Sequence, residues 1–240
     1  MKPEDFSLRC TTLWSFRERG DWATHSGRYR GNWSPYVPRN LILRYSKERE
    51  WVLDQFVGSG TTLVEAKLLN RNAIGIDVNE KALQISKSNL NFQIDSNSKI
   101  FTKLGNATNL SFIKSESIDL ICTHPPYANI IRYSKNVEED LSLLCYKDFL
   151  VRLNKVAEEA FRILKAGKYC SFMIGDIRRK GVYYPLGMEA LRVFRDKEFE
   201  LKEIIIKEQH NCRSTEKWRD KNNNFLLIAH EYIFVFKKPL

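Results

Sequence analysis

Two short strings carry residue types that can do chemistry. The first is Asp54-Gln55-Phe56-Val57-Gly58-Ser59-Gly60-Thr61-Thr62, and the second is Thr123-His124-Pro125-Pro126-Tyr127. Each follows an apolar run that reads as a strand, Trp51-Val52-Leu53 before the first and Ile118 to Cys122 before the second. A strand, a Gly-x-Gly turn and a helix bring backbone close to a ligand, because Gly58 and Gly60 have no Cβ to obstruct it. Thr61 or Thr62 can cap the helix that follows. A dinucleotide site would continue to a third glycine, but Leu63 stands there. The loop is therefore expected to hold a single nucleoside, with Asp54, Phe56, Gly58, Gly60, Thr61 and Thr62 as its cofactor residues. Taken alone, the two glycines would equally suit an ordinary tight turn.

Two further strand ends extend that reading. Asp77 closes the run Ala73 to Asp77, about 20 residues beyond the glycine loop, where an acidic residue takes ribose hydroxyls. Asn106 follows the run Ile100 to Leu104 and is expected to bond an adenine edge. Each of these alone could be a helix cap or a turn residue; their order along successive strands is the signal.

The second string suits a planar ring bearing an amine. Pro125 and Pro126 fix the backbone and remove two N–H donors, so the carbonyl before them is left as an acceptor. The ring of Tyr127 can stack on a flat base. His124 offers either a neutral imidazole that accepts from the amine or a merely structural ring. Methyl transfer from a sulfonium to such an amine needs in-line placement and help for the nitrogen lone pair, not a covalent nucleophile. A base in a duplex must first leave the stack.

The elements that must position these strings read as alternating strand and helix. Helices are expected at 41–45, 61–69, from Asn79 through Ile85, 147–164 and 188–194, the fourth stopped by Gly167. Strands are expected at 51–53, 73–77, 100–104, 118–122, 169–174, 201–206 and 225–236. The alternation predicts an α/β fold with a mostly parallel sheet, seven-stranded and wound on both faces. The last two strands follow each other without a helix, which predicts one antiparallel strand near the C-terminal edge. All 240 residues fit one domain. Residues 1–50, rich in aromatics and arginines, form an N-terminal segment, and 51–240 form the core.

Composition narrows the partners. A formal net charge of +10 favours a polyanion such as nucleic acid. No apolar run of about 18 residues is present, so no membrane span is expected, and a cytoplasmic location is the default expectation. The five cysteines contain no Cys-x-x-Cys pair, which favours buried thiols over disulfides or a metal site.

On these residues the chain resembles the DNA amino-methyltransferases, which modify cytosine N4 or adenine N6 and share the Rossmann-like S-adenosylmethionine-dependent methyltransferase fold. The cofactor motif of that family reads Asp-Pro-Phe-x-Gly-Ser-Gly-Thr, and Gln55 replaces its proline. The catalytic motif is Asp, Asn or Ser followed by Pro-Pro-Tyr, and His124 takes the first place. Thr123 matches the threonine typical of the cytosine-N4 form, so cytosine N4 is favoured over adenine N6. The resemblance also covers Gly31 to Asn40, which looks like the family's extra N-terminal motif and places Arg39 near the methionine carboxylate of S-adenosylmethionine. It implies double-stranded DNA as substrate and leaves room for a homodimer or a restriction-system partner. No separate recognition domain fits. Loops 128–146 and 207–224 are the expected DNA-reading segments, with Arg132, Lys135, Arg213, Lys217, Trp218 and Arg219, together with Arg178 and Arg179 after the fifth core strand. Two other readings compete: an RNA or protein amino-methyltransferase, and a non-catalytic nucleic-acid-binding subunit that keeps the fold.

Overall fold

The computed structural model describes residue 3, residues 6–211 and residues 224–240. The chain begins with a two-residue strand β1 (Leu13–Trp14) and then α1 (Tyr36–Tyr45). Alternation follows: β2 (Trp51–Asp54), α2 (Thr61–Leu68), β3 (Asn72–Asp77), α3 (Glu80–Asn89), β4 (Ile100–Leu104) and β5 (Ile118–Thr123). The second half holds α4 (Tyr146–Ile163), β6 (Leu164–Ile174), β7 (Ile177–Arg179), β8 (Val182–Tyr184), α5 (Leu186–Arg195), β9 (Glu200–Glu208) and β10 (His230–Lys237).

The main sheet has eight strands in the order β1-β9-β10-β6-β5-β2-β3-β4. Only β10 runs against its neighbours, pairing antiparallel with both β6 and β9. The expected seven strands and single reversed strand are present; β1 is the addition, joining parallel to the edge of β9. Two residues are too few to show a strand period, but Trp14 is almost fully buried and its indole N–H donates to the Thr11 carbonyl. All six residues of β5 are buried, as a central parallel strand covered on both faces requires.

Apolar side chains fill both faces. On one face α4 turns Phe149, Leu153, Val156, Ala160 and Ile163 inward at helical spacing, against Phe172, Phe194 and Phe234. On the other, Val37 and Leu41 of α1 and Leu63 and Ala66 of α2 pack with Trp14 and Val52. Asn79 caps α3 as expected, its side chain accepting from the Lys81 N–H.

Three boundaries differ from expectation. Helix α1 starts at Tyr36, so Pro38 lies in its first turn, where a missing N–H costs nothing. Helix α4 passes directly into β6 at Leu164, and Gly167, with φ of +74°, lies inside the strand span instead of stopping the helix. The final strand begins at His230, not at 225. The β7–β8 hairpin was not anticipated; Lys180 and Gly181 both have positive φ at its turn, the backbone a tight two-residue hairpin needs. Among the described residues no helix is long and apolar enough to cross a membrane.

One buried carboxylate gathers three side chains of the N-terminal segment onto the core. Fully buried Glu65 on α2 accepts from Arg39 Nη1, from Trp22 Nε1 and from the His25 ring, each at 2.7 Å. The Arg39 guanidinium also lies over the rings of Phe6 and Trp22. Removing one partner of such a pair strands the other charge without water. Glu65→Ala is therefore expected to lower unfolding stability by about 3–5 kcal/mol in urea denaturation, with Glu65→Gln costing less. A loss below about 1 kcal/mol, the range of surface pairs, would contradict the clamp.

Candidate active site

The glycine loop and the Pro-Pro string meet at one cleft between the ends of β2, β3 and β5. Its walls include Asp54, Phe56, Val57, Gly58, Ser59, Thr61, Asp77, Val78, Asn79, His124 and Pro126 from the core. Tyr29, Gly31, Asn32 and Trp33 close it from the N-terminal segment, and Tyr133 and Asp140 close it from the loop after the catalytic string. The cleft encloses about 580 Å³, its open mouth included.

The loop takes its shape from two glycines and two carboxylates. Gly58 and Gly60 have φ of +50° and +87°, a conformation that other residues adopt at a cost. A Cβ on Gly60 would stand 2.4 Å from Ser86 Oγ. Asp77 accepts from the Gly58 N–H through one oxygen and from the Asn79 N–H through the other, each at 2.9 Å. Burial pushes its carboxyl above the usual range. Each oxygen spends one lone pair on backbone and keeps another for a ligand hydroxyl.

Asp54 does not face the ligand alone. Buried at the end of β2, it accepts from the Thr62 hydroxyl, from the Phe56 N–H at 3.1 Å and from the Thr123 hydroxyl at 2.8 Å. Burial raises its carboxyl to about 6, against the lowering effect of those bonds. Thr123 Oγ1 in turn accepts from the Gln55 N–H at 3.2 Å. A proline at position 55, as in the resembled motif, could not make that bond.

The catalytic string is held by a chain of polar contacts. His124 Nε2 lies 2.7 Å from the Tyr127 hydroxyl, which donates to Glu231 Oε1 at 2.6 Å. Lys207 Nζ pairs with Glu231 Oε2 at 2.9 Å. Lys207 and Glu231 face each other directly in the β9–β10 ladder. The His124 ring stacks on Trp33, with centroids 5.4 Å apart and planes 24° apart. Burial lowers the His124 imidazole to about 4, so the ring is neutral at physiological pH. Burial, and then the Glu231 charge, push the Tyr127 phenol far up. Gly175 lets this ring sit where it does: a Cβ there would come 2.9 Å from Tyr127 Cε2.

The other expected site residues divide. Pro125 and Thr62 are buried and Tyr127 is half-buried, and none of the three lines the cleft. Arg39 pairs with Glu65 and does not line the cleft. Asn106 also lies outside the cleft; its Oδ1 accepts from the Thr108 N–H and hydroxyl in a local turn. Arg132 and Lys135 are exposed on the loop after the catalytic string. Arg178 stacks on Tyr183 and Phe225 and donates to the carbonyls of Gly181 and Leu226. Arg179 donates to the Asn129 carbonyl, joining the β7–β8 hairpin to the post-catalytic loop. Arg213, Lys217, Trp218 and Arg219 lie outside the described residues.

Two site residues were not anticipated by motif. Asp140 is buried in the cleft wall, with Oδ1 accepting from the Ser142 N–H and Oδ2 lacking any partner among the described residues. Glu231 lies 104 residues from the tyrosine it holds. An orphaned buried acceptor, a positive-φ glycine loop and Asp77 together match a nucleoside-bearing ligand with hydroxyl and amine donors, so the residues fit S-adenosylmethionine.

Comparison with known proteins agrees with this geometry. The sequence model of the DNA methylase family matches residues 2–88 and 118–239. The model for RNA cap guanine-N2 methyltransferases matches residues 49–165. A type II methyltransferase, M2.LlaDCHI of Lactococcus lactis subsp. cremoris, is 50% identical over 56 residues, 23% of this chain and 21% of that protein. A tRNA (guanine(10)-N2)-dimethyltransferase of Pyrococcus abyssi is 31% identical over 94 residues, 39% of this chain and 28% of that one. The matched stretches thus span under a third of either relative. Among solved structures, TrmN from Thermus thermophilus superposes with a TM-score of 0.59 at 16% identity, over 88% of this chain and 51% of that one, a likeness of fold.

The lowered imidazole gives a sign that can be checked. Between about pH 4 and 6.5 the unfolded chain binds a proton at His124 that the folded chain does not. His124 therefore makes stability fall as pH falls through that window, and its ring signals in a histidine NMR titration are expected to move with a midpoint near 4. A midpoint near 6.5 would mean that the ring is solvated, not buried.

Proposed function

The chain belongs to the DNA methylase family, and on that premise we propose that it transfers a methyl group from S-adenosylmethionine to the exocyclic amine of a flipped DNA base. One observation carries the reading: the glycine loop and His124 of the His-Pro-Pro-Tyr string line the same cleft. When bound, S-adenosylmethionine supplies a sulfonium methyl that is already electrophilic. Gly58 and Gly60 give the ligand close access to backbone, the Asp77 oxygens accept from the ribose hydroxyls, and Asp140 Oδ2 accepts from an amine. The neutral His124 ring accepts a hydrogen of the target amine. That bond draws the amine out of conjugation with the base and frees its lone pair for attack. Trp33, stacked on the His124 ring, helps to hold it in place. Tyr127, whose hydroxyl bonds Glu231 and His124, steadies the His124 ring.

Thr123, which matches the threonine of the cytosine-N4 form of the motif, supports cytosine N4 over adenine N6. The net charge of +10 supports a polyanionic substrate, as duplex DNA is. A second reading, methylation of a guanine amine in RNA, is favoured by the match of residues 49–165 to an RNA methyltransferase family.

The deciding assay is transfer of labelled methyl to mixed-sequence duplex DNA, with product nucleosides identified by mass. The expected product is N4-methylcytosine. N6-methyladenine would keep the mechanism and reverse the base, whereas methylated RNA without methylated DNA would transfer the proposal to the second reading. Asp77→Ala is expected to weaken cofactor binding about 10- to 100-fold by calorimetry, the worth of one or two charge-assisted hydrogen bonds. Unchanged affinity would remove Asp77 from the ribose site.

A further inference from the structure

The contacts behind His124 decide more than its position. A neutral imidazole carries one proton, on Nδ1 or on Nε2, and the nitrogen without it is the acceptor. Glu231 is held as a carboxylate. Burial alone would raise it, but the Lys207 ammonium 2.9 Å away, His124 and the Tyr127 hydrogen bond together bring its carboxyl below the usual range. A carboxylate donates nothing, so the single hydrogen of the Tyr127 hydroxyl goes to Glu231 Oε1. The Tyr127 oxygen then has only lone pairs to offer His124 Nε2 at 2.7 Å. Nε2 must carry the proton, and Nδ1 is left as the acceptor of a ring that lines the cleft.

We propose that Glu231 and Lys207 are positioning residues that act through Tyr127 to set the tautomer of His124, keeping Nδ1 free to accept from the target amine. The catalytic half of the proposal rests on the methyl-transfer reading above; the tautomer itself does not. The arrangement places three roles on residues far apart in the chain. Lys207 fixes the charge of Glu231, Glu231 fixes the direction of the Tyr127 hydroxyl, and Tyr127 fixes the proton of His124. Gly175 keeps room for the ring that links them.

The test uses Glu231→Gln, which keeps shape and reverses polarity. Lys207 is a donor only, so it takes the amide oxygen and turns the NH2 toward Tyr127. The tyrosine hydrogen must then point at His124 Nε2, which pushes the proton to Nδ1. The readout is 15N NMR of labelled histidine at neutral pH, with His124 identified among the four histidines by its loss in His124→Gln. The wild-type protein is expected to show the Nε2–H form and E231Q the Nδ1–H form. Tyr127→Phe, which keeps the ring and removes the relay, is expected to show a mixture. In methyl transfer, E231Q is expected to lose about 100-fold in kcat, the lower end of the usual range for proton-handling groups, with cofactor KM within about twofold. An Nε2–H form that persists in E231Q or as the sole form in Y127F overturns the proposal, and so does a reversed tautomer with unchanged kcat. If no methyl acceptor is found for the wild-type protein, the activity reading fails, while the two tautomer measurements still support or overturn the relay.

Discussion

The structure turns on a buried carboxylate at the end of β2. Asp54 has little contact with water, and an unsatisfied carboxylate there would be costly. It is satisfied by three donors from three places: Thr62 on α2, Phe56 in the glycine loop and Thr123 at the end of β5. Those bonds are directional, so they fix the loop, the helix start and the catalytic string relative to one another. Thr123 is the joint, since it donates to Asp54 and accepts from Gln55. Gln55 thus replaces a stiff residue with a tethering one. The loop that would be held by a proline ring is held here by an N–H bond to the neighbouring strand.

A second constraint is the closure of the cleft from two sides. The N-terminal segment brings Tyr29 to Trp33, and the post-catalytic loop brings Tyr133 and Asp140. The two meet: Tyr29 and Tyr133 stack with centroids 6.1 Å apart, and a Cβ on Gly31 would fall 1.8 Å from the Tyr133 hydroxyl. The Asn79 side chain donates to the Tyr133 carbonyl, which ties that loop to the end of β3. The cleft is therefore shaped as much by irregular chain as by strand ends.

What could be read in the sequence follows from distance along the chain. The cofactor loop and the Pro-Pro string are local, since glycine and proline act on their own backbone and leave a mark where they stand. The alternation of strands and helices is likewise local, and so is the succession of two strand-like runs without a helix that makes β10 antiparallel. The partner of Arg39 was not legible, because a buried guanidinium answers to whatever carboxylate packs against it, and Glu65 lies 26 residues further on. The bonds of Asn106 to Thr108 are local, since a short amide bonds within its own turn. Asp140, Gly175 and Glu231 carry no motif at all. Their roles exist only once β6, β10 and the post-catalytic loop have packed against Tyr127 and the cleft.

The same N-terminal segment pairs with the sheet edge at Leu13–Trp14 and walls the cleft at Tyr29 to Trp33. A sheet edge left open is a template for other chains, so this tether guards against unwanted strand pairing at one end while it shapes a binding surface at the other. A substitution that loosens the tether therefore uncovers a strand edge at one end and takes wall from the cleft at the other.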